Sequence, residues 1–386
     1  MLHQHFKTPQ GGGAIRSYYL ARALVDSGHR VVMISSFSET RYKIKSIEGI
    51  EVHYLPIPYD NRLQFYARAW AFARFVIGAL KVARKFRDFD KCYAISVPLT
   101  VGIVAQWVKF RYKMPFIFEV GDLWPDAPIQ MGFVRNQLFQ QALYAFEKSI
   151  YQQAESIVAL SPLIKSAIET KAPGKEVHLI SNMADCDFYQ PEEKKPLLQS
   201  KFGVEGKFVV SYMGALGVAN GLDYFLECAI ASQEAMLPVH FILCGDGALR
   251  DELKATIKRL DLKNISLLDF VNREGVNVIM NVTDAVFICY KNVPILETGS
   301  PNKFFDGLAA GKLIVINFGG WIKKEMKDER CGIFVDPVLP TDFVKKISPF
   351  IADKKLLQAH QMASRRLAEK KYSRSLLSAE FQRIFA

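Results

Sequence analysis

The stretch Ser300-Pro-Asn-Lys-Phe-Phe-Asp-Gly-Leu-Ala-Ala-Gly-Lys-Leu-Ile-Val-Ile316 predicts a loop, a helix and a buried strand in immediate succession. Ser300 and Pro301 suit the start of a helix, because proline is favoured at the first helical position. Gly311 suits the end of that helix, and the apolar run Leu313–Ile316 is typical of a buried strand. The stretch therefore predicts one helix–strand unit of an α/β fold.

Lys303 and Asp306 are three residues apart in the predicted helix, so they share one face near its positive end. A cation and a carboxylate in that position could hold a sugar nucleotide, with Lys303 at a phosphate and Asp306 at ribose or sugar hydroxyls. The same spacing also fits a solvated ion pair on an ordinary helix surface. This segment alone favours neither interpretation.

Strand-like apolar runs alternate with helical patterns along the rest of the chain. Strands are predicted at 30–36, 50–57, 91–96, 116–120, 156–160 and 177–180, and then at 208–213, 239–244, 265–270, 285–290 and 313–316. Helices are predicted between them at 14–27, 62–86, 137–153, 162–170, 222–231, 248–260, 275–281 and 301–310. This alternation is typical of parallel sheets covered by helices on both faces.

A polar segment at 187–199, which contains Pro191 and Pro196, predicts a linker between two halves. We therefore predict an α/β fold of two doubly wound, Rossmann-like domains with a cleft between them. The first domain covers 1–186 and the second 200–365. The C-terminal segment at 366–386 is predicted to be a helix that packs back on the first domain.

The composition predicts an anionic partner. The chain has 50 lysine and arginine residues against 39 aspartate and glutamate residues, which gives a formal net charge of +11. Such an excess favours nucleic acid, an acidic membrane leaflet or a phosphorylated ligand without choosing among them. No run has the uncharged apolar length of a membrane-spanning helix, and residues 1–10 lack the apolar segment of a secretory signal. We therefore expect a cytoplasmic protein.

The six cysteines are scattered without Cys-x-x-Cys spacing, and several lie in apolar runs. This distribution predicts buried side chains in a reducing compartment rather than disulfides or zinc ligands. The seven histidines also lack the spacing of metal ligands, so no metal site is predicted.

Gly11, Gly12 and Gly13 lead directly into a predicted helix. Glycines let the backbone approach a ligand closely, and the start of a helix offers unpaired N–H groups to an anion. The spacing is not the G-x-G-x-x-G of a dinucleotide site. A flexible turn would give the same sequence, but ligands bind at the carboxyl ends of strands in such folds, which favours a binding function.

Two further glycine-rich loops follow predicted strands in the second half. The first contains Gly214 and Gly217, whose N–H groups could face a diphosphate; a plain strand-to-helix connection is the alternative. The second is Gly245-Asp246-Gly247. Asp246 would either cap the next helix or leave the backbone beside a nucleoside, and the two interpretations are equal.

The segment 119–126 ends a predicted strand with two carboxylates and a tryptophan. Asp122 would point into the cleft, where a carboxylate could hydrogen-bond or deprotonate an acceptor hydroxyl. It could equally be a turn residue that caps the next segment. Trp124 would either stack on a sugar or belong to the core.

Basic and aromatic residues alternate at helical spacing along 62–87. Arg68 and Arg74 lie beside Trp70 and Phe75 in this pattern, which suits a helix lying on an anionic membrane. A nucleic-acid interface would also require a basic stripe. The third interpretation is a half-buried helix with a solvated basic edge.

Five motifs occur in a fixed order: the first glycine-rich loop, 119–125, 181–188, 245–247 and 300–306. Together they resemble family 4 glycosyltransferases of the GT-B fold, and in particular the N-acetyl-L-fucosamine transferase-like enzymes of bacterial surface polysaccharide synthesis. The resemblance covers nearly the whole chain.

The resemblance implies transfer of a sugar, expected to be an N-acetylated deoxyhexosamine, from a UDP-sugar to a saccharide carried on polyprenyl diphosphate. This reaction would contribute to O-antigen or capsule synthesis. It would take place at the cytoplasmic face of the inner membrane, on its anionic surface. The anomeric configuration would be retained, and neither a metal nor nucleic acid would be needed.

The resemblance and the sequence patterns described above together assign the site residues. Asp122 and Lys303 would be catalytic. The donor would be held by Gly12, Gly13, Gly214, Gly217, Gly245, Asp246, Gly247, Glu297, Ser300, Pro301, Asn302 and Asp306. The residues facing the acceptor or the membrane would be Arg16, Arg68, Trp70, Phe75 and Trp124.

The sequence departs from the family pattern at two places. Many relatives carry Arg and Lys in the loop that opens the second domain, whereas Ala215 and Asn220 stand here. The family's paired acids are eight residues apart, but counting back from Asp306 gives Thr298, with Glu297 one position away. Two other functions therefore remain open: a sugar-nucleotide 2-epimerase, and a non-catalytic protein that binds a sugar nucleotide or nucleic acid.

Overall fold

A computed structural model describes residues 1–11, 15–59 and 65–385 of the chain. It contains two α/β lobes, each built on parallel strands with helices on both faces. The predicted fold class is confirmed: these are two Rossmann-like domains with a cleft between them.

The first lobe contains two sheets that are joined by the start of the chain. Their orders are β1-β3-β2 and β4-β5-β6-β7, and Leu2 bridges both β1 and β4. The strands are β1 (Val31–Phe37), β2 (Lys43–Ile47), β3 (Ile50–Pro56), β4 (Cys92–Ile95), β5 (Phe116–Val120), β6 (Ile157–Ala159) and β7 (Val177–Leu179). The helices are α1 (Arg16–Asp26), α2 (Phe65–Ala83), α3 (Val101–Tyr112), α4 (Asp126–Gln130), α5 (Gln137–Gln153) and α6 (Pro162–Lys171).

The second lobe has one six-stranded parallel sheet of order β10-β9-β8-β11-β12-β13. Its strands are β8 (Phe208–Met213), β9 (Val239–Cys244), β10 (Ile265–Leu268), β11 (Ala285–Ile288), β12 (Leu313–Ile316) and β13 (Gly332–Phe334). The helices are α7 (Pro196–Phe202), α8 (Leu222–Glu234), α9 (Arg250–Arg259), α10 (Arg273–Val282), α11 (Asn302–Ala309), α12 (Gly320–Glu329), α13 (Pro340–Ala352) and α14 (Lys354–Leu367).

Sequence patterns located the central strands of the second sheet well because these strands are buried. All six residues of β8 are buried, because helices cover both faces of the sheet. The predicted strands 208–213, 239–244 and 313–316 have the observed bounds. Those predicted at 265–270 and 285–290 each end two residues earlier than expected.

Several of the observed elements were not predicted from sequence patterns. Strand β2 is an antiparallel edge strand with four exposed residues, so it lacks the apolar run of a buried strand. Strand β13 and helices α3, α12 and α13 were also not predicted. Helix α7 begins at Pro196, inside the predicted linker, and Tyr189 of that segment is buried in the second lobe.

The C-terminal segment crosses back to the first lobe. After α14 the chain forms a π-helical turn, Ala368–Tyr372, and then α15 (Arg374–Gln382). Phe381 is buried in the core cluster that contains Leu20 and Tyr93, and the Gln382 side-chain amide donates to the Ala23 carbonyl at 2.7 Å.

A 3₁₀ turn of the second lobe, Pro294–Thr298, fixes the two lobes against each other. Ile295 is buried in the main core of the first lobe. The Gln130 side chain accepts a hydrogen bond from the Ile295 N–H at 3.1 Å, and the Ser161 hydroxyl donates to the Thr298 carbonyl at 2.6 Å. This docking turn places α11 at the cleft.

Two remaining expectations concern cysteines and membrane spans. All six cysteines are free thiols, and five of them are buried, as expected. In the ranges that the structure describes, no helix combines the length and the apolarity needed to cross a bilayer.

Candidate active site

A cavity of about 500 Å³ opens between the lobes at the carboxyl ends of the second sheet. Tyr19 and Met183 line it from the first lobe. From the second lobe it is lined by residues that follow β8, β9 and β11 and by the first turns of α10 and α11. Parallel α/β sheets bind ligands at this edge, because the loops and helix starts that converge there offer free N–H groups.

Lys303 enters this cavity from the first turn of α11. Its ammonium lies 4.6 Å from the centre of the Tyr212 ring, a cation–π contact. No described residue accepts a hydrogen bond from this ammonium, and burial lowers the pKa of Lys303. A desolvated ammonium without a hydrogen-bonding partner is costly, so a bound anion would stabilise it.

Gly214 explains how the Lys303 side chain reaches the cavity. A Cβ atom at Gly214 would lie 2.7 Å from Cε and 2.9 Å from Nζ of Lys303. The lysine therefore lies directly across the glycine backbone, and a larger residue at 214 would displace it.

Asp306 lies one turn after Lys303 and lines the same cavity. Burial raises the pKa of this carboxyl to about 7, although the charges of Arg273 and Lys303 oppose the shift. No described residue donates a hydrogen bond to it. The carboxylate is therefore available to accept hydrogen bonds from the hydroxyls of a ligand.

The glycines at 245 and 247 serve contacts between loops. A Cβ atom at Gly245 would lie 1.9 Å from the Gly214 carbonyl oxygen, and one at Gly247 would lie 2.5 Å from the Leu216 carbonyl oxygen. Gly214 and Gly245 line the cavity. Gly217, Asp246 and Gly247, predicted to bind the donor, do not line it.

Asp246 hydrogen-bonds within its own turn, because its Oδ1 accepts from the Gly247 N–H at 2.8 Å. Neither alternative considered for Asp246 therefore describes it: the carboxylate does not cap α9, and the residue does not border the cavity.

The segment before α11 has two functions. Pro301 and Asn302 line the cavity. The helix begins at Asn302, one residue later than predicted, because Pro301 occupies the capping position. Ser300 is buried and joins the lobes: its hydroxyl accepts from the Asn182 N–H at 3.4 Å, and its carbonyl accepts from the Asn182 side-chain amide. Ser300 therefore positions α11 and is itself outside the cavity lining.

Glu297 lies on the docking turn and does not line the cavity. Its carboxylate faces the start of α12 and accepts from the Gly319 N–H at 3.3 Å. In this conformation Glu297 supports a helix start.

Arg16 is held within the first lobe by an ion pair with Glu119. It was expected to face the acceptor or the membrane, but it is only 8% exposed. Its guanidinium donates to both carboxylate oxygens of Glu119, at 3.1 Å each, and to the Ser181 and Ile180 carbonyls. Tyr93 also donates to Glu119. Arg16 borders the cavity, yet its guanidinium already donates hydrogen bonds to groups of the protein.

Asp122 follows β5 and reaches solvent. The surrounding protein nevertheless displaces bulk water from its carboxyl group, and this desolvation raises the pKa of Asp122. Burial raises the pKa of Tyr290, a residue that lines the cavity, and the charge of Asp122 adds to that shift. Asp122 thus lies near the cleft without forming its wall. Trp124 packs half-buried on the first-lobe core, which is the core alternative for that residue.

Helix α2 divides the predicted membrane residues. Trp70 is 63% exposed and Arg68 is half-buried. Phe75 is fully buried in the first-lobe core, so its assignment to the membrane was wrong. Gly12 and Gly13 lie outside the described residues.

An ion cluster that sequence reasoning missed closes one side of the cavity. Arg273 donates to Asp185 and, at 3.0 Å, to the Tyr19 hydroxyl, and Arg374 donates to Asp185 at 2.9 Å. Burial opposes ionisation of Asp185, but the hydrogen bond and charge of Arg273, together with Arg374, lower its pKa. Asp185 lies in the 181–188 motif, whereas nothing in the local sequence marks Arg273.

Among the described residues, no group of three or more His, Cys, Asp or Glu side chains is arranged to hold a metal ion.

Two protein families match the chain in succession. Residues 11–183 match the family described as "Glycosyl transferase 4-like domain", and residues 207–353 match "Glycosyl transferases group 1". The chain belongs to the glycosyltransferases of the GT-B fold. The two matches meet at the segment between the lobes, and the cavity lies between the matched regions.

Relatives of this glycosyltransferase are distant in sequence. It is 20% identical to the alpha-D-kanosaminyltransferase of Streptomyces kanamyceticus over 62% of each chain. It therefore spans less than two thirds of that relative. It is also 22% identical to an uncharacterized glycosyltransferase of Methanocaldococcus jannaschii, over 89% of this chain and 86% of the relative.

Solved structures share the fold of this glycosyltransferase at low identity. Sucrose-phosphate synthase from Thermosynechococcus elongatus superimposes with a TM-score of 0.79 at 14% identity, covering 100% of this chain and 97% of that one. Anabaena HepE, solved in complex with UDP-glucose, gives 0.70 at 18% identity, with 100% and 98% coverage. WaaG, a glycosyltransferase involved in lipopolysaccharide biosynthesis, gives 0.69 at 15% identity, with 98% and 97% coverage.

Proposed function

We propose that this protein is a retaining glycosyltransferase that transfers a sugar from a UDP-sugar to a lipid-linked saccharide. One observation carries the proposal. Lys303 and Asp306 lie on one face of α11 in the interlobe cavity, and no described residue forms a hydrogen bond with either charged group. Both charged groups therefore lack hydrogen-bond partners in the part of the protein that the structure describes, and their spacing suits the diphosphate and the ribose of a donor.

The diphosphate would lie against Lys303 and the start of α11, whose N–H groups and dipole favour negative charge. Ala215 and Asn220 contribute no charge at the loop where many relatives carry Arg and Lys. The Asn220 side-chain amide instead donates to the Ala215 carbonyl at 3.0 Å. Lys303 would therefore carry a larger share of phosphate binding here.

The chemical step would retain the anomeric configuration by attack on the same face of the sugar. The acceptor hydroxyl oxygen forms the new bond to the anomeric carbon, and the bond from that carbon to the diphosphate oxygen breaks. The departing diphosphate takes the acceptor proton. Lys303 would stabilise the charge that develops on the diphosphate, and exclusion of bulk water from the occupied cavity would strengthen that interaction. Asp122, at the carboxyl end of β5, would orient the acceptor hydroxyl.

The donor nucleotide is proposed to be UDP, since HepE was solved with UDP-glucose in the same fold. The transferred group is proposed to be an N-acetylated deoxyhexosamine. This follows the sequence resemblance, and the name of the kanosaminyltransferase relative also refers to an amino sugar. The resulting glycan would be an O-antigen, a capsule or a related surface polysaccharide.

A lipid-linked acceptor requires access to a membrane, and α2 is the proposed contact. Trp70 and Ile77 expose 63% and 52% of their surfaces on this helix, beside basic residues such as Lys81. Exposed apolar side chains among cations suit the interface of an anionic bilayer. The protein would then act as a peripheral protein on the cytoplasmic face of the inner membrane.

The first experiment is a thermal-shift screen of UDP, GDP, ADP and CDP, followed by transfer assays with radiolabelled UDP-sugars and polyprenyl-diphosphate-linked acceptors. We expect UDP to give the largest stabilisation and label to move to the lipid fraction, with EDTA causing no loss. The anomeric configuration of the product is read by NMR.

Parallel reactions without acceptor separate the alternatives. A 2-epimerase would convert the UDP-sugar without acceptor, whereas a transferase leaves it essentially unchanged. Stabilisation by UDP without turnover of any donor would indicate a binding protein. A lack of stabilisation by all four nucleotides would contradict the assignment of the cavity.

A further inference from the structure

A second cavity of about 900 Å³ lies at the opposite end of the second sheet. Phe208 begins β8, Asp284 precedes β11 and Lys312 precedes β12, and all three line it. The interlobe cavity is instead lined by residues at the carboxyl ends of the same strands. Because β8 is six residues long, the two cavities are separated by roughly 20 Å of strand.

Cations outnumber acids around this second cavity. The cations that line it are Lys194, Lys207, Lys312, Lys354, Arg365 and Arg366, and the acids are Glu192, Glu193 and Asp284. Two of the acids already have cationic partners. Asp284 pairs with Lys194 and accepts from the Val209 N–H at 2.7 Å, and Glu192 pairs with Lys195 at 2.7 Å.

Lys312 is the distinctive residue of the cavity. It is only 6% exposed, yet it contributes to the cavity wall. Of the residues that the structure describes, none accepts a hydrogen bond from its ammonium. Burial lowers the pKa of Lys312 to about 8, and the charge of Lys194 acts in the same direction, whereas the charges of Asp284 and Glu192 oppose the shift. A buried ammonium that lacks hydrogen bonds requires an anion for full stabilisation.

The rest of the wall is partly apolar. Phe208, Phe350, Leu357 and Met362 contribute to it, and its volume lies in the range of roughly 300–1,000 Å³ that is typical of small-molecule sites. A bare inorganic ion would leave this apolar surface uncovered. A ligand with an anionic end and a larger ring-containing body would fill both parts.

We propose that this cavity is a second ligand site, separate from the donor cleft, which binds a phosphorylated small molecule of about nucleotide size with its phosphate on Lys312. Lys207 and Arg366 at the exposed rim add positive potential at the entrance. Arg365 instead supports the wall, because it donates to the Tyr189, Ala309 and Cys186 carbonyls.

The test is isothermal titration with inorganic pyrophosphate in a Lys303→Ala background, which weakens anion binding in the donor cleft. In this background Lys312→Met should reduce pyrophosphate affinity about tenfold, the loss of one charge-assisted contact. Lys254→Met, on the exposed face of α9, is the matched control and should change the affinity less than twofold. Equal affinity with and without the Lys312 ammonium, or no binding at about 10 mM pyrophosphate, would refute the site.

A rim variant covers the case in which Lys312→Met does not fold. Lys207→Ala with Arg366→Ala changes only exposed side chains and should weaken pyrophosphate binding about threefold to fivefold. An unchanged affinity in that double variant would count against the proposal.

The ligand class is tested in the same Lys303→Ala background with uridine monophosphate and glucose 1-phosphate, each of which joins a phosphate to a ring-containing body. At least one should bind about tenfold more tightly than inorganic phosphate, and Lys312→Met should weaken its binding about tenfold. If neither exceeds inorganic phosphate, the assigned ligand class is wrong. Binding is measured without sugar transfer, so failure here leaves the proposed function of the donor cleft unaffected.

Discussion

Buried charges in the two lobes are arranged in opposite ways. In the first lobe, Arg16 and Glu119 form an ion pair. Glu119 also accepts a hydrogen bond from Tyr93, and Arg16 also donates to two backbone carbonyls. In the second lobe, Lys303 and Asp306 lie in a cavity, and their charged groups make no hydrogen bond with any described residue. Both pairs are shielded from bulk water, but only the charged groups of Arg16 and Glu119 have hydrogen-bond partners among the residues that the structure describes.

This difference distinguishes charges that stabilise the fold from charges that are available to bind a ligand. A buried ion pair with all its donors used contributes to a fixed geometry, and a ligand gains little by competing with it. A buried charge without a partner lowers the stability of the free protein and is stabilised when a complementary group binds. Lys312, at the second cavity, belongs to the second kind.

The strongest test of this comparison is Lys303→Ala. We expect kcat/KM for sugar transfer to fall about 10² to 10³-fold, because the main charge opposite the leaving diphosphate is lost. The melting temperature should stay equal or rise, since an unpaired buried cation is removed. Lys323→Ala is the control, as Lys323 is exposed and lies 3.5 Å from the centre of the Phe334 ring. If the Lys303 variant turned over at the wild-type rate, the assignment of Lys303 to the active site would be wrong.

The complementary test is Glu119→Gln, which leaves the Arg16 guanidinium buried without its counter-charge. We expect a loss of about 3 kcal/mol in the free energy of unfolding, measured by urea denaturation. Turnover per folded molecule should change much less. Asp26→Asn, which removes the exposed partner of Arg22, should cost less than about 1 kcal/mol. Similar costs for both variants would contradict the structural role of the buried pair.

Asp306→Asn should raise KM for the donor about tenfold to thirtyfold, because an amide replaces a carboxylate that accepts two ribose hydroxyls. It should also stabilise the free protein at pH 8. The pKa of Asp306 is raised by folding, so ionising it costs stability above pH 7 and costs none below about pH 4. A gain of a few degrees in Tm at pH 8, absent at pH 4, is the expected signature. A loss of Tm at pH 8 would mean that the carboxylate is paired in the free protein.

The pH dependence of donor binding follows from the same carboxyl. With a pKa of about 7, Asp306 is largely protonated at pH 6 and ionised at pH 8. We expect the donor KM of the wild type to fall severalfold between these values, and the dependence to be reduced in Asp306→Asn. An identical profile in both proteins would assign the dependence to another group.

The smallest expected effect concerns the surface of α2. Trp70→Ala should reduce flotation with liposomes that contain anionic lipid by about twofold to fivefold, in line with the apolar area removed. Leu197→Ala is the control, because Leu197 is 81% exposed on α7 of the other lobe. Equal flotation of the wild type and the Trp70 variant would argue against α2 as the membrane contact.

The sequence predicted the site best where one short segment contains all its parts. Lys303, Pro301, Asn302 and Asp306 are close in sequence, so the helical period alone places Lys303 and Asp306 on one face. Prediction was poorer where a role depends on a distant partner. Arg16 is bound by Glu119, which is 103 residues away in sequence, and no local pattern could indicate that contact.

The glycines show the same division. Their positions after β8 and β9 predicted tight loops, and such loops are present. That Gly245 and Gly247 serve the packing of one loop on another follows only from the approach of their backbones to Gly214 and Leu216. Phe75 has the spacing of a membrane-facing aromatic residue, but helix packing turned it into the core.

The sequence by itself determined the alternation of strands and helices, the two-lobed architecture and the charged face of α11, because these depend on interactions between residues a few positions apart. The tertiary structure decided which charges are neutralised within the protein and which remain available to a ligand. The physical reason is that burial and hydrogen bonding depend on groups that come from distant parts of the chain. The docking turn and α15 are examples, because each forms hydrogen bonds with the first lobe from a distant part of the sequence.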